Sequence, residues 1–184
     1  RQGRVDAVFM VAYIPQSTPA DETYGKADRL LNTIITQAKG SGNRISIATS
    51  YAELCNNKRN GIPTVFLGIE NGCALAGNLD NIDYFYRLGV RYITLCHNGD
   101  NLLCDSAMQS LDTHNVLSEF GRQVVLKMNA VGMMVDVSHV GEKSFWDTVA
   151  LSTKPIIASH SCCKALRNHP RNLTDEQIRA IARS

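Results

Sequence analysis

Four residues of this chain pair a metal-binding or proton-moving side chain with the end of a short apolar run: Glu70, His97, His139 and His160. The runs are Thr64-Val-Phe-Leu-Gly-Ile-Glu70, Arg91-Tyr-Ile-Thr-Leu-Cys-His97, Gly132-Met-Met-Val-Asp-Val-Ser-His139 and Pro155-Ile-Ile-Ala-Ser-His160. A carboxylate and neutral imidazoles suit Zn²⁺, and two histidines with one glutamate form a catalytic set that leaves a coordination position open for water. One histidine at a strand end is more often a hydrogen-bonded structural residue than a ligand. Four successive runs that end this way point to a shared site.

Other candidates carry less. His114, in a polar loop, and His169, before Pro170, are expected to be solvated surface residues. Asp136 lies inside a run three residues before His139, where orienting a neighbour and a purely structural hydrogen bond are equal readings. Cys162 and Cys163 sit beside His160, but adjacent residues rarely aim both thiolates at one ion. The six cysteines include no C-x-x-C pair, which argues against a zinc ribbon or a thioredoxin-type site and leaves the redox compartment open.

Residues so far apart in sequence can meet only if the elements carrying them converge. The run Val5 to Ile14 stops at Pro15 and reads as a buried strand. Ala27, Leu30, Leu31, Ile34, Ile35 and Ala38 follow helical spacing, with Gly40 as the stop. Ile45 to Thr49 reads as a short strand, and Ser50 with Glu53 forms a capping box that opens a short helix. After that, the four runs ending in chemistry alternate with helices expected near Ile82 to Leu88, Glu119 to Asn129 and Glu142 to Leu151. A second capping box, Thr174 with Gln177, starts a helix that runs into the terminus. Strands that are apolar nearly throughout, alternating with amphipathic helices, predict a parallel sheet covered by helices on its outer face. In a barrel of such strands the C-terminal ends gather at one mouth, where active sites are built. No linker or repeat divides the sequence, so residues 1–184 read as one domain.

Composition narrows the function. The 184 residues carry 19 basic and 17 acidic side chains, a formal net charge of +2. That balance gives no broad positive field to gather nucleic acid or anionic lipid. Hydrophobic residues make up 44 %, ordinary for a globular domain. No apolar stretch approaches the roughly 18 residues that span a bilayer. Arg1-Gln2-Gly3-Arg4 includes neither an initiator Met nor an apolar signal region, so any targeting segment is expected to be removed or absent.

In the segments Gly68-Ile-Glu70-Asn-Gly72, Gly89-Val-Arg-Tyr-Ile-Thr-Leu-Cys-His97-Asn, Val135-Asp-Val-Ser-His139-Val, Ile157-Ala-Ser-His160-Ser and Arg171-Asn-Leu-Thr-Asp-Glu, the sequence resembles the renal (membrane) dipeptidase family of zinc peptidases. The resemblance runs in order along nearly the whole chain. It implies a (β/α)₈ TIM-type barrel and a zinc-dependent dipeptidase with two zinc ions in the complete enzyme. By it, Glu70 is the carboxylate bridging the two ions, and His139 and His160 are imidazole ligands of the second. His97 polarises the substrate carbonyl and stabilises the tetrahedral intermediate, and Arg171 binds substrate. Without the resemblance, Arg171 would read as a surface arginine near a helix start. The chemistry is coherent, because a carboxylate holding two cations close together lets a shared water act as hydroxide at neutral pH. Charge developing on the carbonyl oxygen then meets a donor such as His97.

The family also carries a His-x-Asp pair on its first strand and an Asp on its last, and neither is found here: no histidine precedes residue 97. A complete barrel needs about 200 residues at minimum. The chain is therefore expected to hold about strands two to six of an incomplete barrel and to be weak or inactive alone, with open sheet edges prone to aggregation or pairing. Two alternatives stay open. One is a metal-dependent amidohydrolase or deacylase acting on N-acyl amino acids, with specificity set by loops such as Asn98 to Asn115. The other is a metal-free binding remnant of the enzyme. The resemblance further implies a dipeptide or other small-molecule substrate and an exported or membrane-attached location, and it admits a homodimer.

Overall fold

The structure, a computed structural model, describes residue 3 and residues 5–42, 44–109 and 113–184. Along the chain it places β1 (Ala7–Tyr13), α1 (Thr23–Gly40), β2 (Ser46–Ile47), α2 (Tyr51–Arg59) and β3 (Thr64–Glu70). A single 3₁₀ turn (Gly72–Leu75) comes next, followed by α3 (Asp80–Leu88), β4 (Val90–Thr94), α4 (Glu119–Val131), β5 (Met134–Asp136), α5 (Glu142–Leu151), β6 (Ile156–Ile157) and α6 (Asp175–Arg183). The helices begin where local chemistry directs. Both expected capping boxes form, Ser50 with Glu53 and Thr174 with Gln177, each satisfying two otherwise orphaned backbone N–H groups.

All described pairings between strands are parallel, in the order β1-β3-β4-β5-β6, with β2 adding two pairs at the start of β3. The sheet is part of a (β/α) barrel. Its register aligns one row across the top: Tyr13 opposite Glu70, Glu70 opposite Thr94, Thr94 opposite Asp136 and Asp136 opposite Ile157. Because side chains alternate along a strand, this row faces one side. Its sequence neighbours Ile69, Ile93, Val135 and Ile156 face the other and are buried with Phe85, Val124, Met128 and Phe145 of the helices.

The concave face of the arc is more open. Phe9 of β1 packs on Phe66 and Tyr92 with ring centroids 5.2 and 5.1 Å apart, yet remains 44 % exposed. The expected buried first strand is thus half exposed. Among the described residues β1 pairs only with β3, so it forms an edge covered on one side. Gly68 makes the cluster possible, since a Cβ there would lie 2.7 Å from the Tyr92 ring.

Three strands are shorter than their apolar runs. β4, β5 and β6 end at Thr94, Asp136 and Ile157, and in each case the histidine comes three residues later, in the turn beyond the strand. Only Glu70 is itself a strand residue.

Candidate metal centre

Glu70 projects from the end of β3 into the mouth of the arc, and three imidazoles converge on its Oε1. His139 Nε2 lies 3.3 Å away, His160 Nε2 3.4 Å and His97 Nε2 3.6 Å. The two nitrogens of His139 and His160 are 2.8 Å apart. The structure therefore brings together all four residues singled out by their run ends. Arg171 flanks them and lines a cavity of about 170 Å³ with His139, Val140, Ser161 and Gln177.

The turns that carry the histidines are tied to one another. Ser106 Oγ donates to the His97 carbonyl at 2.5 Å and lies 3.5 Å from the His139 carbonyl, to which Ala107 N–H also donates. His139 has φ 72°, the left-handed region that costs a side-chain-bearing residue about 1–2 kcal/mol. That conformation is held by the Val140 N–H bond back to Val137 and the Ala107 bond, and it presents the ring to Glu70.

Electrostatics favours neutral imidazoles beside a charged carboxylate. The imidazoles of His139 and then His160 hold the Glu70 carboxyl well below the usual carboxylate range. Burial lowers the pKa of both His97 and His139, and the nearby Arg171 charge lowers both further. Burial also lowers the Arg171 pKa. Neutral imidazole and ionised carboxylate are the protonation states that metal ligation requires.

Hydrogen bonds indicate where the ring protons sit. Asn98 Oδ1 stands 3.0 Å from His139 Nδ1, so that nitrogen carries the proton and Nε2 keeps its lone pair. Nε2 of His139, Nε2 of His160 and the Glu70 oxygen face one another, a donor set of the kind that suits a cation. A tetrahedral zinc with ligands at 2.0–2.1 Å implies ligand separations of about 3.4 Å. The Glu70–His139 and Glu70–His160 separations match that edge, and the His139–His160 separation is shorter. A second grouping, Glu70, His97 and His139, has its ligand atoms all within 4.8 Å of one another. The Glu70, His139 and His160 triangle is the tighter of the two, and His97 is the outlying member.

Several contributors escaped the sequence reading. Tyr13, opposite Glu70 in the register row, brings its hydroxyl 3.4 Å from His97 Nδ1. Its place near the end of the first apolar run, next to Ile14, was the available signal. Asn98 and Ser159 are each adjacent to a site histidine but are residue types too common in turns to stand out. Asp136 is fully buried and accepts four hydrogen bonds, from Thr94 and Ser159 hydroxyls and from the Ser138 and Ser159 amides. His114, expected to be solvated, is half-buried with Nε2 2.7 Å from the Asn101 carbonyl, while His169 is exposed as expected. Cys162 is exposed, and neither it nor Cys163 joins the ligand cluster. Of the Asn98 to Asn115 loop, residues 110–112 lie outside the described residues.

Comparison with known proteins identifies the family of the chain. A family model described as Membrane dipeptidase (Peptidase family M19) matches residues 1–184. The chain is 34 % identical over 191 residues to the dipeptidase verJ of Clonostachys rogersoniana, covering 96 % of this chain and 48 % of that protein. The probable dipeptidase PvdM of Pseudomonas aeruginosa superposes with a TM-score of 0.93 at 26 % identity, covering 100 % of this chain and 49 % of that one. An amidohydrolase from Pseudomonas aeruginosa gives a TM-score of 0.89 at 27 % identity, covering 99 % and 53 %. The chain thus spans about half the length of the relatives it matches. Among the described residues no helix is long and apolar enough to cross a membrane.

Proposed function

This chain belongs to the membrane dipeptidase family, and from that premise we propose that it forms the zinc-holding part of an enzyme that hydrolyses dipeptides. The observation that carries the reading is the convergence of His139, His160 and His97 on one oxygen of Glu70, within 3.3–3.6 Å.

In this reading Glu70, His139 and His160 would hold one zinc, and the Glu70 carboxylate could also serve a second in the complete enzyme. Zinc bound there would supply Lewis-acid polarisation and lower the pKa of water toward neutrality. The chain's own residues do the rest. His97, the outlying imidazole, stands beside the ligand set where it can donate to a substrate carbonyl oxygen as charge develops on it. Tyr13 bears on the other nitrogen of that ring and limits its rotation. Arg171 offers a planar fork of donors from the cavity wall, suited to a substrate carboxylate. The turns beyond β4, β5 and β6 hold these groups before substrate arrives.

The 184 residues alone supply one compact ligand set, so this stretch is proposed to bind zinc but to turn over dipeptides weakly. The full activity, an exported or membrane-attached location and a homodimer are proposed for the whole protein. Zinc titration of the purified chain by chelator competition, together with dipeptide hydrolysis, tests this. Stoichiometric zinc lost in Glu70→Gln and His139→Ala supports the reading. No zinc binding by the wild-type chain overturns it and favours a metal-free binding remnant. The similarity to an amidohydrolase keeps a second reading, hydrolysis of N-acyl amino acids, which kinetics on a panel of dipeptides and acyl-amino acids separates.

A further inference from the structure

His160 is the most exposed of the three imidazoles around Glu70, and its side chain is 42 % accessible. Packing alone therefore holds it weakly. Its Nδ1 lies 2.7 Å from Ser159 Oγ, which in turn lies 2.7 Å from Asp136 Oδ2. Asp136 is fully buried, with the Ser138 and Ser159 amides on Oδ1 and the Thr94 and Ser159 hydroxyls on Oδ2. Four donors on two oxygens is the arrangement of an ionised carboxylate, which can only accept. The Ser159 hydroxyl has a single proton, and that proton goes to Asp136. Toward His160 the hydroxyl can then only accept, so Nδ1 carries a ring proton, and in the neutral imidazole a metal ligand requires, Nε2 is left with the lone pair, aimed at Glu70 and His139.

We propose that Ser159 is a positioning residue: it links the buried Asp136 to His160 and fixes the imidazole tautomer that a metal ligand needs. A neutral imidazole free in water prefers its proton on Nε2, the very position the ion would take, so the relay acts against that preference. The amide of His160, donating to Ser138 Oγ at 3.1 Å, fixes the backbone on which the ring turns. Partners of this kind orient ligating histidines and raise their basicity. The inference rests on the reading of His160 as a zinc ligand.

The test combines two measurements on the 184-residue chain. Long-range ¹H–¹⁵N spectra of the metal-free protein report the His160 tautomer, and chelator competition reports zinc affinity. The wild type is expected to show the Nδ1–H form. Ser159→Ala is expected to shift it toward Nε2–H and to weaken zinc binding roughly 10- to 100-fold. Ser159→Thr, which keeps the hydroxyl, is expected to restore both. An unchanged tautomer with undiminished zinc affinity in a folded Ser159→Ala overturns the proposal. If that variant does not fold, Ser159→Cys, a poorer acceptor of similar size, carries the same comparison. Absence of zinc binding in the wild type would instead strike at the metal reading, while the tautomer shift still decides the relay.

Discussion

His139 Nε2 and His160 Nε2 face each other across 2.8 Å, although their turns follow different strands and each ring directs its other nitrogen to a separate partner, Asn98 Oδ1 and Ser159 Oγ. Two lone pairs beside a carboxylate oxygen repel unless a cation or a proton lies between them. A cation at that point would satisfy both nitrogens and the carboxylate, and the expected behaviour with zinc and with pH starts from that geometry.

Zinc should stabilise the chain measurably. A ligand present at 100 times its Kd adds about 2.7 kcal/mol, which corresponds to roughly 5–10 °C in Tm for a chain of this size. Thermal unfolding followed by Trp146 fluorescence, with and without zinc, should show that rise. His139→Ala should abolish it.

His97 and the ligands should separate in their responses. In an active enzyme carrying this stretch, His97→Asn is expected to lower kcat/KM by roughly 100- to 1000-fold, the usual loss of one preorganised donor. Zinc affinity should stay near wild type. A parallel collapse of zinc binding would show that His97 belongs to the ligand set and would redraw the site around Glu70, His97 and His139.

The metal-free chain should lose stability as pH falls below about 6.5, the unfolded imidazole value. Burial depresses the pKa of His97 and His139, so the unfolded chain binds protons more readily than the folded one in that window. Their contribution is fully present above the unfolded pKa and declines as pH drops toward the lowered folded values. Urea midpoints between pH 7.5 and pH 5 should therefore decrease, and His139→Asn should flatten the trend.

Removing the Asp136 carboxylate should be costly. Asp136→Ala would leave the Ser138 and Ser159 amides and two hydroxyls without their acceptor. At about 1–3 kcal/mol for each buried unsatisfied group, a loss of at least about 3 kcal/mol is expected in urea unfolding. A loss below about 1 kcal/mol would show that water or rearrangement replaces the acceptor.

Gly121 should tolerate no side chain. A Cβ there would fall 2.1 Å from the Leu103 carbonyl oxygen, so α4 could not pack against the loop leading to Cys104 and Asp105. Gly121→Ala is expected to destabilise by about 1–3 kcal/mol through overpacking, despite the better helix propensity of alanine.

Much of this molecule was decided locally, and the sequence alone determined it. Helix starts followed from capping chemistry at Ser50 and Thr174, and β3 followed from its unbroken apolar run to Glu70. The succession of apolar runs ending in Glu70, His97, His139 and His160 marked the residues that converge, because burial and backbone preference are encoded over a few neighbouring residues. Tertiary structure decided the rest. Strand pairing ended β4, β5 and β6 three residues before their histidines, and register set Tyr13 beside Glu70. Folding also supplied the acceptors that assign the ring protons, Asn98 for His139 and the Asp136–Ser159 pair for His160. Those contacts join residues from separate strands and turns. Their geometry depends on how the whole sheet curves and how each turn closes, which short-range periodicity does not record.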